Sequence, residues 1–129
     1  MTKRLSPYRL GATLYMPATR NDIAGSILHN EIDGLRSIVI CLEDAVSDAD
    51  VPAALQNLKQ VLNALKAAKD AGLGADWPLV FIRPRHPGMG KFLTATEDLT
   101  PVDGLVLPKF TLESLPVWWD IMKDTHLCM

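Results

Sequence analysis

The sequence predicts an α/β fold built on a parallel sheet. Two features point there: short apolar runs that are continuous instead of alternating, and amphipathic stretches lying between them. A strand covered on both faces reads as a continuous apolar run, and such strands belong to parallel sheets. Strands that alternate with helices predict parallel strands joined by right-handed crossovers. Two layouts satisfy this order, a doubly wound sheet and part of an eight-stranded β/α barrel.

Four runs define the strands: Leu10–Met16 (LGATLYM), Ser37–Leu42 (SIVICL), Pro78–Ile82 (PLVFI) and Gly104–Leu107 (GLVL). A fifth, HLCM, begins at His126 and runs to Met129. Asn21 and Asp22 can cap a helix that continues to about Glu31, with Ile23, Ile27 and Leu28 on one face. The clearest helix follows Asp50. Leu55, Leu58, Val61, Leu62, Leu65 and Ala68 are spaced by three and four, which makes one apolar stripe. Pro52 suits its first turn, and Gly72 suits the position just past its end. Thr111 or Ser114 can cap a further helix holding Val117, Trp118, Ile121 and Met122, with Trp118 and Trp119 as packing residues. The stretch from His86 to Asp103 reads as a loop with a short helix near Phe92 or Asp98.

At 129 residues the chain has the size of one domain. Its apolar fraction of 48% and charged fraction of 22% are those of a globular protein, which excludes disordered and collagen-like classes. A net charge of −2 gives no basic face for nucleic acid. Cys41 and Cys128 lie in apolar runs and read as reduced core residues of a cytoplasmic protein. Neither a signal peptide nor a membrane span is visible, and no repeat, low-complexity tract or linker divides the chain.

The residues that follow each strand are charged. Arg20 follows the first, Glu43 and Asp44 the second, Arg83 the third and Lys109 the fourth. In both parallel layouts the carboxyl ends of the strands are where ligands bind. Arg20, Arg83 and Lys109 can hold a carboxylate or phosphate, arginine doing so with two parallel hydrogen bonds. Glu43 and Asp44 can orient one of these arginines or bind a metal through water. Neighbours on a strand point to opposite sides, so the two acids do not form one chelating pair. One faces the site, and the other caps the following loop. A simpler possibility is that Glu43 pairs with Arg83 only to hold the strand ends together, which would still position Arg83.

LYMPATR, ICLEDAV, VFIRP and GLVLPK occur in an order and spacing that resembles a known family. The chain is similar to the carbon–carbon lyases that include the citrate lyase beta subunit, malyl-CoA lyases and the HpcH/HpaI aldolases, in the phosphoenolpyruvate-binding superfamily. The likeness runs from about Leu10 to Lys109. It implies a parallel (β/α)8 TIM barrel, of which this chain is the N-terminal half, and an enolate chemistry supported by Mg²⁺. It also implies a small carboxylate or acyl-CoA substrate, a homo-oligomer, and no nucleic-acid or membrane partner. Residue by residue, Arg83 matches the arginine that binds the carboxylate of a 2-oxo acid or acyl group. Glu43 and Asp44 match the acidic pair that supports this arginine and the metal's water shell. Arg20 matches a basic position in anion binding. Lys109 matches a lysine read as an electrostatic or structural group, not as a Schiff-base nucleophile.

The chain departs from the family pattern in three places. Cys41 stands where the family has Asp, Pro84-Arg85 replaces a Val-Asn pair, and the stretch DADVPAALQNL lacks the family's basic residues. The last departure leaves a free keto acid or another acyl carrier open beside a CoA thioester. An eight-stranded barrel needs about 200 residues or more. The chain is thus expected to form a single domain over 1–129, about four and a half β/α units, with the direct metal ligands falling beyond Met129. On that expectation the chain alone has little turnover. The alternative is a non-catalytic anion-binding or assembly module that keeps the site and has lost the chemistry.

Overall fold

A computed structural model describes residues 7–29 and 32–127. The elements are β1 (Thr13–Pro17), α1 (Ile23–Leu28), β2 (Ser37–Cys41), α2 (Val51–Asp70), β3 (Leu79–Arg83), α3 (Pro87–Thr96), β4 (Gly104–Leu105) and α4 (Leu115–Met122). The strands pair in parallel in the order β1-β2-β3-β4. That order decides between the two layouts. A doubly wound sheet reverses direction at a switch point, whereas a barrel adds each strand beside the last. The four strands are arranged as consecutive barrel strands.

The register sorts the side chains into rows. Thr13, Ser37 and Leu79 are aligned, as are Tyr15, Val39, Phe81 and Gly104, and then Pro17, Cys41 and Arg83. Alternate residues point to opposite faces, so these three rows share one face. The intervening rows, Leu14–Ile38–Val80 and Met16–Ile40–Ile82–Leu105, turn the other way. They pack with Ile23 and Ile27 of α1, Leu58, Leu62 and Leu65 of α2, and Leu93 of α3 to form the core. The helices therefore cover one face and leave the Tyr15 row on the other.

β2 is buried at all five positions, as its continuous apolar run predicts. β1 is the correction: Thr13 and Tyr15 are exposed because this strand lies at the sheet edge. Its start also moves. Leu10 closes a 3₁₀ turn, Pro7–Leu10, and Gly11 follows at φ 58 before the strand begins. β3 is displaced by one residue toward Arg83. β4 is only two residues long. Val106 still donates to the Ile82 carbonyl at 2.8 Å, but Pro108 has no N–H with which to extend the ladder. The expected fifth strand is absent at its described end, since His126 and Leu127 lie in a turn. Cys128 and Met129 lie outside the described residues, as does Glu31, the expected end of α1.

α2 keeps its predicted stripe and both predicted ends. Pro52 sits in its first turn. The Leu73 N–H reaches the Ala68 carbonyl at 3.0 Å, the Gly72 N–H reaches Lys69 at 3.0 Å, and Gly72 adopts φ 88. This is a Schellman ending, which requires a left-handed residue after the helix. The short helix expected near Phe92 is the ten-residue α3, and it takes up more of the region read as loop than expected. Its PGMG start resembles a turn in sequence. In the structure Pro87 occupies the first turn, and His86 caps it through Nδ1, which accepts the Met89 N–H at 3.0 Å. A Cβ on Gly90 would lie 2.6 Å from the Trp118 ring, so this glycine lets α4 approach α3. Trp118 is buried as predicted, whereas Trp119 is 58% exposed and does not pack in the core. At the start of α4, Thr111 and Ser114 cap each other's backbone N–H groups.

Leu62 is 2% exposed in the central core. Leu62→Ala is expected to lower unfolding free energy by about 2–5 kcal/mol. Leu73→Ala, at a position 63% exposed, should change it by less than about 0.5 kcal/mol. Urea denaturation of both variants checks the contrast.

Asp98 joins the loop before β4 to α2. It accepts the Thr100 N–H at 3.0 Å and pairs with Lys66 at 3.1 Å. Hydrogen bonding to the Thr100 side chain and backbone, then to Lys66, holds its carboxyl at about 2 instead of 3.8. A lowered carboxylate pKa stabilises the fold above the ordinary value, and that stability is lost as pH falls toward the folded one. Melting temperature should therefore drop between about pH 4 and pH 2, and Asp98→Asn should flatten this limb.

Candidate active site

The carboxyl ends of β1, β2 and β3 are tied to one another beyond the strands themselves. Ala18 donates to the Cys41 carbonyl and Leu42 to the Arg83 carbonyl, both at 2.9 Å. These bonds carry the ladder into the loops and set Glu43 beside the end of β3.

Glu43 is 6% exposed, and Oε1 accepts a hydrogen bond from Arg83 Nη2 at 3.3 Å. Burial by itself would lower the pKa of Arg83. The charge of Glu43, the nearby Tyr15 phenol and the hydrogen bond to Glu43 outweigh burial and raise it. The guanidinium therefore stays cationic at every physiological pH. A single contact of 3.3 Å is long for a charge-assisted bond and uses one donor of the fork. Arg83 Nε and Glu43 Oε2 are both buried without a hydrogen-bond partner. Buried polar atoms are ordinarily satisfied, so the pair retains capacity to bind a further polar group.

The loop that carries Glu43 is held by Arg85. Its Nη1 donates to the carbonyls of Leu42 at 3.2 Å, Glu43 at 3.1 Å and Val46 at 2.8 Å. Its Nη2 pairs with Asp48. After β2 the chain turns at Glu43–Val46 and leaves carbonyls without ladder partners, and the guanidinium fork collects them. In sequence Arg85 stands out only as a departure from the family pattern, because its carbonyl partners carry no residue signature.

The other expected site residues stand apart from this pair. Asp44 is exposed and Glu43 is buried, and both lie in the turn past the end of β2, where strand alternation no longer applies. The expected loop cap is not made, since no side-chain hydrogen bond from Asp44 is formed among the described residues. Arg20 is exposed and grips Asp22 with Nε at 2.8 Å and Nη2 at 2.5 Å. The hydrogen bond to Asp22, reinforced by its charge, raises the pKa of Arg20, and the reciprocal hydrogen bond lowers that of Asp22. Asn57 of α2 steadies this loop by donating to the carbonyls of Ala18 at 2.7 Å and Arg20 at 2.5 Å, a contact with no signature in the sequence. Lys109 is exposed at φ 46 on the loop after β4 and forms no salt bridge among the described residues. An exposed ammonium lacks the desolvation that activates a Schiff-base lysine.

Among the described residues, no group of three or more His, Cys, Asp or Glu is placed to hold a metal ion. Glu43 has one oxygen committed to Arg83. These residues by themselves do not fit a resident Mg²⁺. Cys41 is buried and free of a disulfide. No helix among the described residues is long and apolar enough to cross a membrane.

The parallel β/α array carries the Glu43–Arg83 pair at its carboxyl edge, the edge at which β/α-barrel proteins ordinarily bind ligands. The chain belongs to the C–C bond lyase family of the TIM-barrel fold, whose family model matches residues 4–129. At that level it is a carbon–carbon lyase. Comparison with curated proteins and with solved structures gives no match.

Arg85→Ala removes four contacts that fix the acidic turn. It should destabilise the protein by about 2 kcal/mol and speed amide exchange over residues 43–48 more than in α2. Arg85→Lys should restore little, because one ammonium cannot span three carbonyls and a carboxylate. Hydrogen-exchange mass spectrometry of both variants reads the effect.

Proposed function

We propose that the chain supplies the carboxylate-binding part of a carbon–carbon lyase site of the citrate lyase beta subunit type. The substrate is a 2-oxo acid or an acyl-CoA ester, and the bond is broken or formed through an enolate. The observation that supports this reading is the Arg83–Glu43 pair, a cation oriented by a buried carboxylate at the carboxyl edge of a parallel sheet, with donors still free.

Arg83 binds the substrate carboxylate with the part of its fork that Glu43 does not occupy. Glu43 orients the guanidinium and holds its charge. Arg85 fixes the turn from which Glu43 projects. Asp44, Arg20 and Lys109 act at the rim, where their charges steer an anionic substrate and contribute less to its affinity. Cleavage of the carbon–carbon bond leaves its electron pair on the enolate, whose oxygen is stabilised by fixed positive charge. A divalent cation such as Mg²⁺, were it held by other residues, would supply charge of this kind. A cytoplasmic, self-associating enzyme is part of the same reading, supported by the buried free thiol of Cys41 and by the sheet face that carries exposed Tyr15.

Calorimetric titration with oxalate, an enolpyruvate mimic, tests the carboxylate role. Oxalate should bind the folded chain, and Arg83→Ala should weaken binding about 10–100-fold. Equal affinity in the variant would contradict the role of Arg83. Repeating the titration with Mg²⁺ tests where the metal ligands lie. Enhancement by the ion would place metal ligands within residues 1–129 and contradict this account of the site, whereas Arg83-dependent binding indifferent to the ion fits an anion site centred on Arg83.

A further inference from the structure

We propose a second anion site at the opposite, amino-terminal edge of the sheet, formed by Arg9, Arg36 and Lys69 around Trp77 and suited to a diphosphate-type anion. A cleft of about 300 Å³ opens there between Arg9, Arg36 and Trp77. A second cleft of about 150 Å³ shares Arg9 and Trp77 with it and adds Lys69 and Asp103. Leu79, at the start of β3, lines both, whereas Arg83 ends that strand. Four residue steps at about 3.3 Å place the two edges roughly 13 Å apart. The clefts are thus separate from the Arg83–Glu43 pair.

Local structure fixes each cation. Arg9 lies in the 3₁₀ turn Pro7–Leu10, and fully buried Ser37 ties that turn to the sheet by donating to the Leu10 carbonyl at 2.7 Å. Arg36 directly precedes β2, and its carbonyl accepts the Leu79 N–H at 2.8 Å. Its aliphatic stem lies across Gly11, where an added Cβ would come within 2.9 Å of Arg36 Cδ. Glycine is therefore required at position 11 both for its positive φ and for passage of this side chain. Lys69 Nζ stands 5.9 Å from the Trp77 ring centroid, within cation–π range.

The charge balance favours an anion. Among the described residues Arg9, Arg36 and Lys69 have no salt-bridge partner. Two acids line the clefts, Asp76 and Asp103. The Asp103 carboxylate is engaged by the Val80 N–H at 2.8 Å, and Asp76, like Arg9, Arg36 and Lys69, is exposed to solvent. Three cations facing two acids leave a net positive charge, and the cations carry donors that no acid engages. Arginine forks suit phosphate oxygens, and the volume admits a pyrophosphate unit.

Inorganic pyrophosphate is the probe, with binding read from the Trp77 indole resonance and from calorimetry. In the unsubstituted chain the Trp77 resonance should shift saturably, and excess oxalate should not reverse the shift. Arg36→Ala and Arg9→Ala should each weaken pyrophosphate binding about tenfold while leaving the response to oxalate unchanged. A folded chain whose Trp77 resonance does not respond would overturn the proposal. So would displacement by oxalate, or affinity unaltered by both substitutions. The indole shift needs no substitution and carries the test if a variant fails to fold. It also stands if the oxalate titration fails, so the two sites are judged independently.

Discussion

The pairing of β2 with β3 aligns Cys41 with Arg83, and the carboxyl edge depends on that register. Side chains alternate along a strand, so a slip of one residue would turn Arg83 toward the helices and Ile82 toward the open face. The slip is opposed by the core. Ile38, Ile40, Val80 and Ile82 are all at 1% exposure or less beneath α1, α2 and α3. Apolar burial on one face thus fixes where charge emerges on the other. Glu43 follows from the same constraint, since Leu42 is bonded to the Arg83 carbonyl and the next side chain meets the guanidinium.

A guanidinium bound on all sides could hold no substrate, and one left free would not be oriented. Arg83 lies between these extremes. Its one contact with Glu43 sets its direction, and its Nε remains buried without a partner. The turn bearing Glu43 would be loose if its carbonyls faced only water. Arg85 removes that freedom by gathering three of them. Two arginines two residues apart therefore divide the work, Arg83 presenting charge and Arg85 holding the frame that aims it. Asn57 performs the corresponding task for the loop after β1.

Much of the fold was legible because it follows from local chemistry. The stripe of α2 and its Pro and Gly ends are short-range signals, and the continuous apolar run of β2 matches its burial at every position. β1 misleads because edge position is a property of the sheet, not of the strand. A helix near Phe92 was expected, but its start was hidden because Pro87 and Gly88 open it, and the His86 cap and the fit of Gly90 against Trp118 support that start. At the site, Glu43 and Arg83 were readable from their positions at strand ends. The isolation of Arg20 was not, because Asp22 lies two residues away and its grip depends on rotamers. The work of Arg85 was least legible, since its partners are backbone carbonyls that every sequence possesses.

The central claim is that Arg83, aimed by Glu43, receives a carboxylate at the carboxyl edge of the sheet. The most direct measurement is the NMR spectrum of the arginine side-chain N–H groups during oxalate addition. The account predicts that the Arg83 signals shift with saturation while those of Arg85, engaged with backbone, move little. A shift confined to Arg20 or to other exposed arginines, with Arg83 unmoved in a folded chain, would contradict it.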